Sequence, residues 1–174
     1  MELLEVMRKR RSVRTYTEET VSEEKVTSIL QAGLLSASGK AIRPWEFIVI
    51  RNKETLKTMA ECRVAGSKML LSADCAIVVL GDEEKSDVWV EDCSVAMENM
   101  HLMADSLGVG SCWIQGRLRE APGEKTTEEY LRELLKFPEH FRLEAILSLG
   151  MPKNHPEAYE LEKLPMEKIH REMF

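Results

Sequence analysis

Long apolar runs are missing from this sequence of 174 residues. Stretches such as Ala76 to Leu80 and Ala145 to Leu147 fall far short of the roughly 20 residues a helix needs to cross a bilayer, so no membrane span is expected. The start, Met1 to Arg14, turns basic where a cleavable leader would become continuously apolar, and the expected location is the cytoplasm. Cysteine is sparse: Cys62, Cys75, Cys93 and Cys112 stand singly, with no CxxC pair and no Cys/His ligand spacing. A zinc or iron–sulfur centre is therefore not expected, and the thiols read as buried and free in a reducing compartment. The four histidines, His101, His140, His155 and His170, lack ligand spacing too. There is no Walker loop, no GxGxxG fingerprint and no GxSxG elbow, which removes support from hydrolase and NTP-driven chemistry. An enzyme with so few reactive groups of its own borrows its chemistry from a cofactor. Repeats, low-complexity tracts and flexible linkers are also absent, so one domain over 1–174 is expected. A positive surplus is lacking as well: the net charge of −6 argues against general nucleic-acid binding.

What is present is the composition of a soluble globular protein, 44% apolar and 31% charged. The elements alternate. Glu2 to Lys9 reads as a short helix, and Ser22 caps a second that carries Val26, Ile29, Leu30 and Leu34 at helical spacing. Phe47 to Ile50 suits a buried strand. Asn52 opens a helix to about Cys62, followed by a helical piece from Gly66 to Leu71 and a central strand, Ala76 to Leu80, closed by Gly81. The longest helix is expected from Asp87 to Leu107, ended by Gly108. Its Val95, Met97, Met100, Leu102, Met103 and Leu107 cover more than one stripe, marking it as the hub of the fold or part of a subunit interface. Ser111 to Ile114 is a short strand, Thr126 with Glu129 forms a capping box for a helix to Lys136, and Phe141 to Met151 is the last strand, ended by Pro152. The tail from His155 to Phe174 carries Leu161, Leu164, Met166, Ile169 and Phe174, and should pack on something, such as a second subunit.

Three segments invite a ligand. Arg10-Arg11-Ser12-Val13-Arg14 sets guanidinium forks and a hydroxyl together in a chain that is otherwise acidic, a group suited to phosphate; a solvated basic turn or an RNA contact fits the same residues. The loop Ser36 to Trp45 offers small residues, Ser38 and Gly39 among them, for close backbone approach, while Lys40 and Arg43 supply positive charge and donors; it reads equally as an ordinary connection with Trp45 as a core plug. From Gly108 to Gly116, glycines flank a strand containing Trp113 and Gln115, which suits a flat ring lying against backbone. Lys163 is a lone tail cation whose plain reading is surface.

Together and in this order, these segments resemble the nitroreductase family of flavoproteins over essentially the whole chain. Arg10-Arg11-Ser12-Val13-Arg14-Thr15-Tyr16 is similar to the family's RRSxRxF/Y element, and the loop ending Arg43-Pro44-Trp45-Glu46-Phe47 to its PSxxNxQPWxF element. Leu107 to Ile114 resembles the GxGSCWIG turn that follows the central helix, and Lys163 to His170 the tail of short members. Ala37, Ala41, Arg43 and Gln115 stand where the family often has proline, asparagine, glutamine and glycine.

The resemblance implies an α+β fold with a central, mostly antiparallel sheet flanked by helices, in a homodimer with swapped termini. It further implies FMN held between subunits, reduced by NADH or NADPH and reoxidised by a small acceptor such as a nitroaromatic or a quinone. Arg10, Ser12 and Arg14 would contact the FMN phosphate and ribityl chain, with Arg11 assisting and Lys163 reaching in from the tail. Ser38, Gly39, Lys40 and Arg43 would line the other side from the partner, Trp113 would pack near the ring, and the backbone of Gln115 and Gly116 would sit by N5. Other readings of the same site are a flavin-binding sensor or store with little turnover, and a relative that fragments flavin or removes halogen.

Overall fold

The computed structural model describes residues 2–174; Met1, the first residue of the basic start, lies outside them. In chain order the elements are α1 (Leu3–Lys9), α2 (Glu23–Leu34), β1 (Trp45–Ile50), α3 (Lys53–Met59), β2 (Cys75–Asp82), α4 (Trp89–Ser106), β3 (Gly110–Gln115), β4 (Glu120–Ala121), β5 (Lys125–Thr126), α5 (Thr127–Leu135) and β6 (Phe141–Gly150). Short 3-10 turns occupy Gly39–Ala41, Lys68–Leu71, Leu161–Lys163 and Met166–Lys168. The local signals act as expected: Ser22 accepts from the Lys25 amide, Asn52 from Thr55, and Thr126 and Glu129 close their capping box. Gly108, at φ +71°, takes the left-handed step that ends α4. The helix expected to reach Cys62 stops at Met59, and the piece expected from Gly66 is a 3-10 turn at Lys68–Leu71, because Ser67 hydrogen-bonds back to the Ala60 carbonyl and bends the chain instead.

Four strands form one sheet in the order β1-β2-β6-β3, every pair antiparallel. The continuous apolar run of β2 is explained by cover on both faces: Cys75, Ile77 and Val79 pack toward α2 and α4, while Ala76, Val78 and Leu80 pack with Leu56, Met59, Leu131 and Phe137 from the α3 and α5 side. The fold is the expected α+β architecture with an antiparallel sheet flanked by helices. Helix α4 is its hub. Cys93, Ala96, Met97, Met100 and Ala104 are buried against the sheet, whereas Val95 is exposed and Leu102 and Met103 are only half covered. All four cysteines are buried and free, with burial raising each thiol above its ordinary range.

Candidate functional site

Because β3 is an edge strand, half of its backbone is open. The Gly116 and Arg117 amides both donate to the Glu144 carbonyl, at 3.1 and 2.9 Å. With Gln115 opposite Ala145 and Trp113 opposite Leu147, antiparallel alternation turns the amides of Ser111, Trp113 and Gln115 to the free side. The N-terminal segment crosses this edge. Ser12 bridges to Ser111, and the Val13 amide donates to the Ser111 carbonyl at 2.9 Å. Tyr16 then locks the segment down, its hydroxyl bonded to the Val13 carbonyl and the Ser148 hydroxyl at 2.8 Å each. The crossing requires a glycine: a β-carbon on Gly110 would stand 2.9 Å from Val13 Cγ1.

The segment that carries Arg10, Ser12 and Arg14 is thus docked at Ser111, near the start of β3, and Trp113, Gln115 and Gly116 follow along the same strand toward its other end. Arg14 is exposed, its nearest bond a 3.5 Å contact with the Ser12 carbonyl. Arg10 is turned inward to His101 Nε2 at 2.9 Å, with Glu98 Oε1 3.8 Å from its Nε. Arg11 points away, lying 4.4 Å over the Tyr159 ring and donating to the Glu157 carbonyl. Two guanidinium groups and a hydroxyl suit a phosphate, and the free strand edge that continues beyond Ser111 suits a flat ring, so the residues present fit FMN, a phosphate joined to a ring by a ribityl chain. One detail of the expected N5 contact changes: the Gly116 amide is committed to Glu144, and the free backbone donor is that of Gln115. On the face turned to α4, Trp113 is half-buried and donates through Nε1 to Gln115 Oε1 at 2.8 Å, while Gln115 Nε2 lies 3.3 Å from the Glu144 carbonyl.

The loop with Ser38, Gly39, Lys40 and Arg43 is not brought onto these residues within one chain. It leads into β1, at the sheet edge opposite β3 and three strand spacings away, roughly 14 Å. Lys40, Ala41 and Arg43 all take positive φ, 51°, 56° and 54°, a concentration of strain that survives only where contacts over-determine it. Asp92 supplies the first, accepting from the Gly39 amide at 2.7 Å, and Ser38 Oγ the second, accepting from the Arg43 amide at 2.9 Å. Lys163 pairs with Glu160 at 2.8 Å in the exposed tail, apart from the Arg10 cluster's hydrogen bonds. From Leu161 to Phe174 every residue is exposed, so the tail's apolar side chains find no cover in their own chain.

Sequence reasoning overlooked three buried polar residues here. Asp92 and His101 sit on the inward face of α4, and Glu144 at the bulge where β6 slips against β2, its side chain buried with Oε2 lacking a partner. A charged or imidazole side chain on an otherwise apolar helix face was the available signal for the first two.

The family model described as "Nitroreductase family" matches residues 7–65 and 60–151. An Archaeoglobus fulgidus protein whose provisional name pairs NADH dehydrogenase with NAD(P)H nitroreductase is 40% identical, covering 98% of each chain. A solved FMN-dependent nitroreductase of Clostridium difficile R20291 superposes with a TM-score of 0.95 at 41% identity, over 98% of this chain and 99% of the other. A provisionally named nitroreductase of Desulfovibrio desulfuricans, solved in complex with FMN, superposes at 0.80 with 27% identity, over 100% and 98%.

Proposed function

The chain belongs to the nitroreductase family, and from that premise we propose that it is an FMN-dependent oxidoreductase passing hydride from NADH or NADPH to a small oxidised acceptor, such as a nitroaromatic or a quinone. The observation that carries this reading is the docking of the Arg10–Arg14 segment, through Ser12 and Val13, on Ser111 of β3, the strand whose free edge continues through Trp113 and Gln115. FMN, when bound, would supply the hydride-accepting and hydride-donating centre. Arg14 and the free donors of Arg10, with the Ser12 hydroxyl, would neutralise its phosphate and hold the ribityl chain. The Gln115 amide would donate a hydrogen bond at N5, and Trp113 would support the ring. Protons would come from water, since the amides and guanidinium groups at the edge only donate bonds and do not titrate near neutrality.

The active form we propose is a cytoplasmic homodimer of a chain that folds as one FMN-binding domain over 1–174. Three features support the dimer. The Ser38–Lys40 loop and the β3 edge stand on opposite sheet edges, so one flavin touches both only if two copies contribute. An apolar groove of about 570 Å³ lies between α1, α2 and α4, lined by Leu3, Val6, Leu35, Leu102 and Met103. The tail carries Leu161, Leu164, Met166 and Ile169 into solvent, ready to bring Lys163 across to a partner's site. Among the described residues no helix is long and apolar enough to cross a membrane. The test is direct: purified protein should be yellow, sediment as a dimer, and bleach on addition of NADH or NADPH without oxygen, then recover colour with a quinone. Colourless protein that takes up no added FMN would overturn the reading, and yellow protein that no nicotinamide reduces would leave only a flavin store.

A further inference from the structure

His101 is buried on α4 among Met97, Met100 and Ala104, where an apolar side chain would pack without needing partners. It has two partners instead. Its Nε2 lies 2.9 Å from Arg10 Nη1, and its Nδ1 lies 2.6 Å from Ser111 Oγ. A guanidinium group can only donate, so the nitrogen facing Arg10 must present a lone pair. The ring hydrogen is thereby assigned to Nδ1, where it points at the serine on β3. Both partners belong to the candidate site: Arg10 opens the anion-binding segment, and the Ser111 carbonyl receives the amide that docks that segment on the edge.

We propose that His101 is a positioning residue for this site, tying the Arg10 guanidinium to the Ser111 hydroxyl as the neutral Nδ1–H tautomer and so presetting Arg10 toward an FMN phosphate and ribityl chain. The inference rests on the proposed function for the identity of the anion. The alternative anchor is weak, because Glu98 stands 3.8 Å from Arg10 Nε, beyond hydrogen-bond reach. The Arg10 side chain is four-fifths covered, so without an acceptor at Nη1 the guanidinium group either stays underbonded or swings into solvent. Electrostatics point the same way. Burial, and then the neighbouring Arg10 charge, push the His101 pKa down to about 4, which keeps the ring an acceptor throughout the neutral range.

The experiment measures FMN affinity by flavin fluorescence quenching on the full chain. His101→Leu should weaken binding about tenfold to a hundredfold, the worth of a hydrogen bond to a charged group. His101→Gln, whose side-chain oxygen can face Arg10, should stay within about threefold of wild type. In an Arg10→Ala background, His101→Leu should cost less than about twofold more, because its effect runs through Arg10. A purely structural role predicts the same loss in both backgrounds, and that result overturns the proposal. Nitrogen NMR of the flavin-free protein is the second readout: Nδ1 should be protonated and Nε2 bare, and the opposite tautomer also overturns it. Should wild type take up no FMN, the proposed function fails, while the tautomer still decides whether His101 serves Arg10.

Discussion

Replacing Gly110 by alanine tests how the anion-binding segment reaches the sheet. The added methyl would lie 2.9 Å from Val13 Cγ1, 3.1 Å from Val13 Cβ and 3.2 Å from the Gly150 carbonyl oxygen. Val13 is β-branched and buried, so it cannot rotate away, and the segment must lift by roughly 0.5 Å to restore ordinary contact. That lift stretches the 2.9 Å bond from the Val13 amide to Ser111 and moves Ser12, with Arg10 and Arg14 on either side of it. Overpacking of this kind costs about 1–3 kcal/mol of stability, and misplacing two charge-assisted donors should weaken FMN about tenfold. Gly108→Ala is the control. Gly108 takes φ +71° with nothing within 4 Å of an added β-carbon, so alanine there costs about 1–2 kcal/mol of backbone strain without touching the segment. Urea unfolding of the flavin-free variants gives the first quantity, and fluorescence titration of the folded proteins the second. The reasoning is refuted if Gly110→Ala binds FMN like wild type, or if Gly108→Ala, at a matched stability loss, weakens FMN as much.

Two pH experiments follow from the buried groups. His101 is neutral in the folded protein down to about pH 4 and titrates at its ordinary 6.5 once unfolded. Between those values the unfolded chain binds more protons, so stability should fall as pH falls, by up to about 1.4 kcal/mol per unit. The wild-type minus His101→Leu difference in unfolding free energy should decline across that window, and a flat difference would contradict it. Glu144 has the opposite sign: burial raises its pKa, outweighing a bond from Gln115 and the charge of Arg117, so the penalty of ionising it grows as pH rises. Its Oε2 lacks a partner, so Glu144→Gln should stabilise the fold more at pH 8 than at pH 4. A gain independent of pH in thermal melts would show that charge is not the cause.

How much was legible in the sequence follows the range of the interactions. Caps act within one turn, so Ser22, Asn52 and the Thr126 with Glu129 pair placed three helix starts correctly, and the left-handed step at Gly108 placed a helix end. Burial on both faces made β2 readable as a continuous apolar run. Donor chemistry belongs to residue type, so the sequence offered Arg10, Ser12 and Arg14 as candidates for a phosphate, beside a solvated turn or an RNA contact.

Pairings across long stretches of chain were not legible. His101 meets Arg10 across 91 positions, Asp92 holds Gly39 across 53, and Ser94 reaches Glu144 across 50. No local spacing encodes such contacts. They arise because α4 packs against α1, α2 and β6, elements far from it in sequence. By itself the sequence determined the capped helix starts at Ser22, Asn52 and Thr126 and the helix end at Gly108. Only the tertiary structure decided that Arg10 is held by a neutral histidine, that Gln115 and not Gly116 offers the free amide, and that loop and edge stand on opposite sides of the sheet. The reason is strand order and register, which set who faces whom and are fixed by the packing of the whole chain.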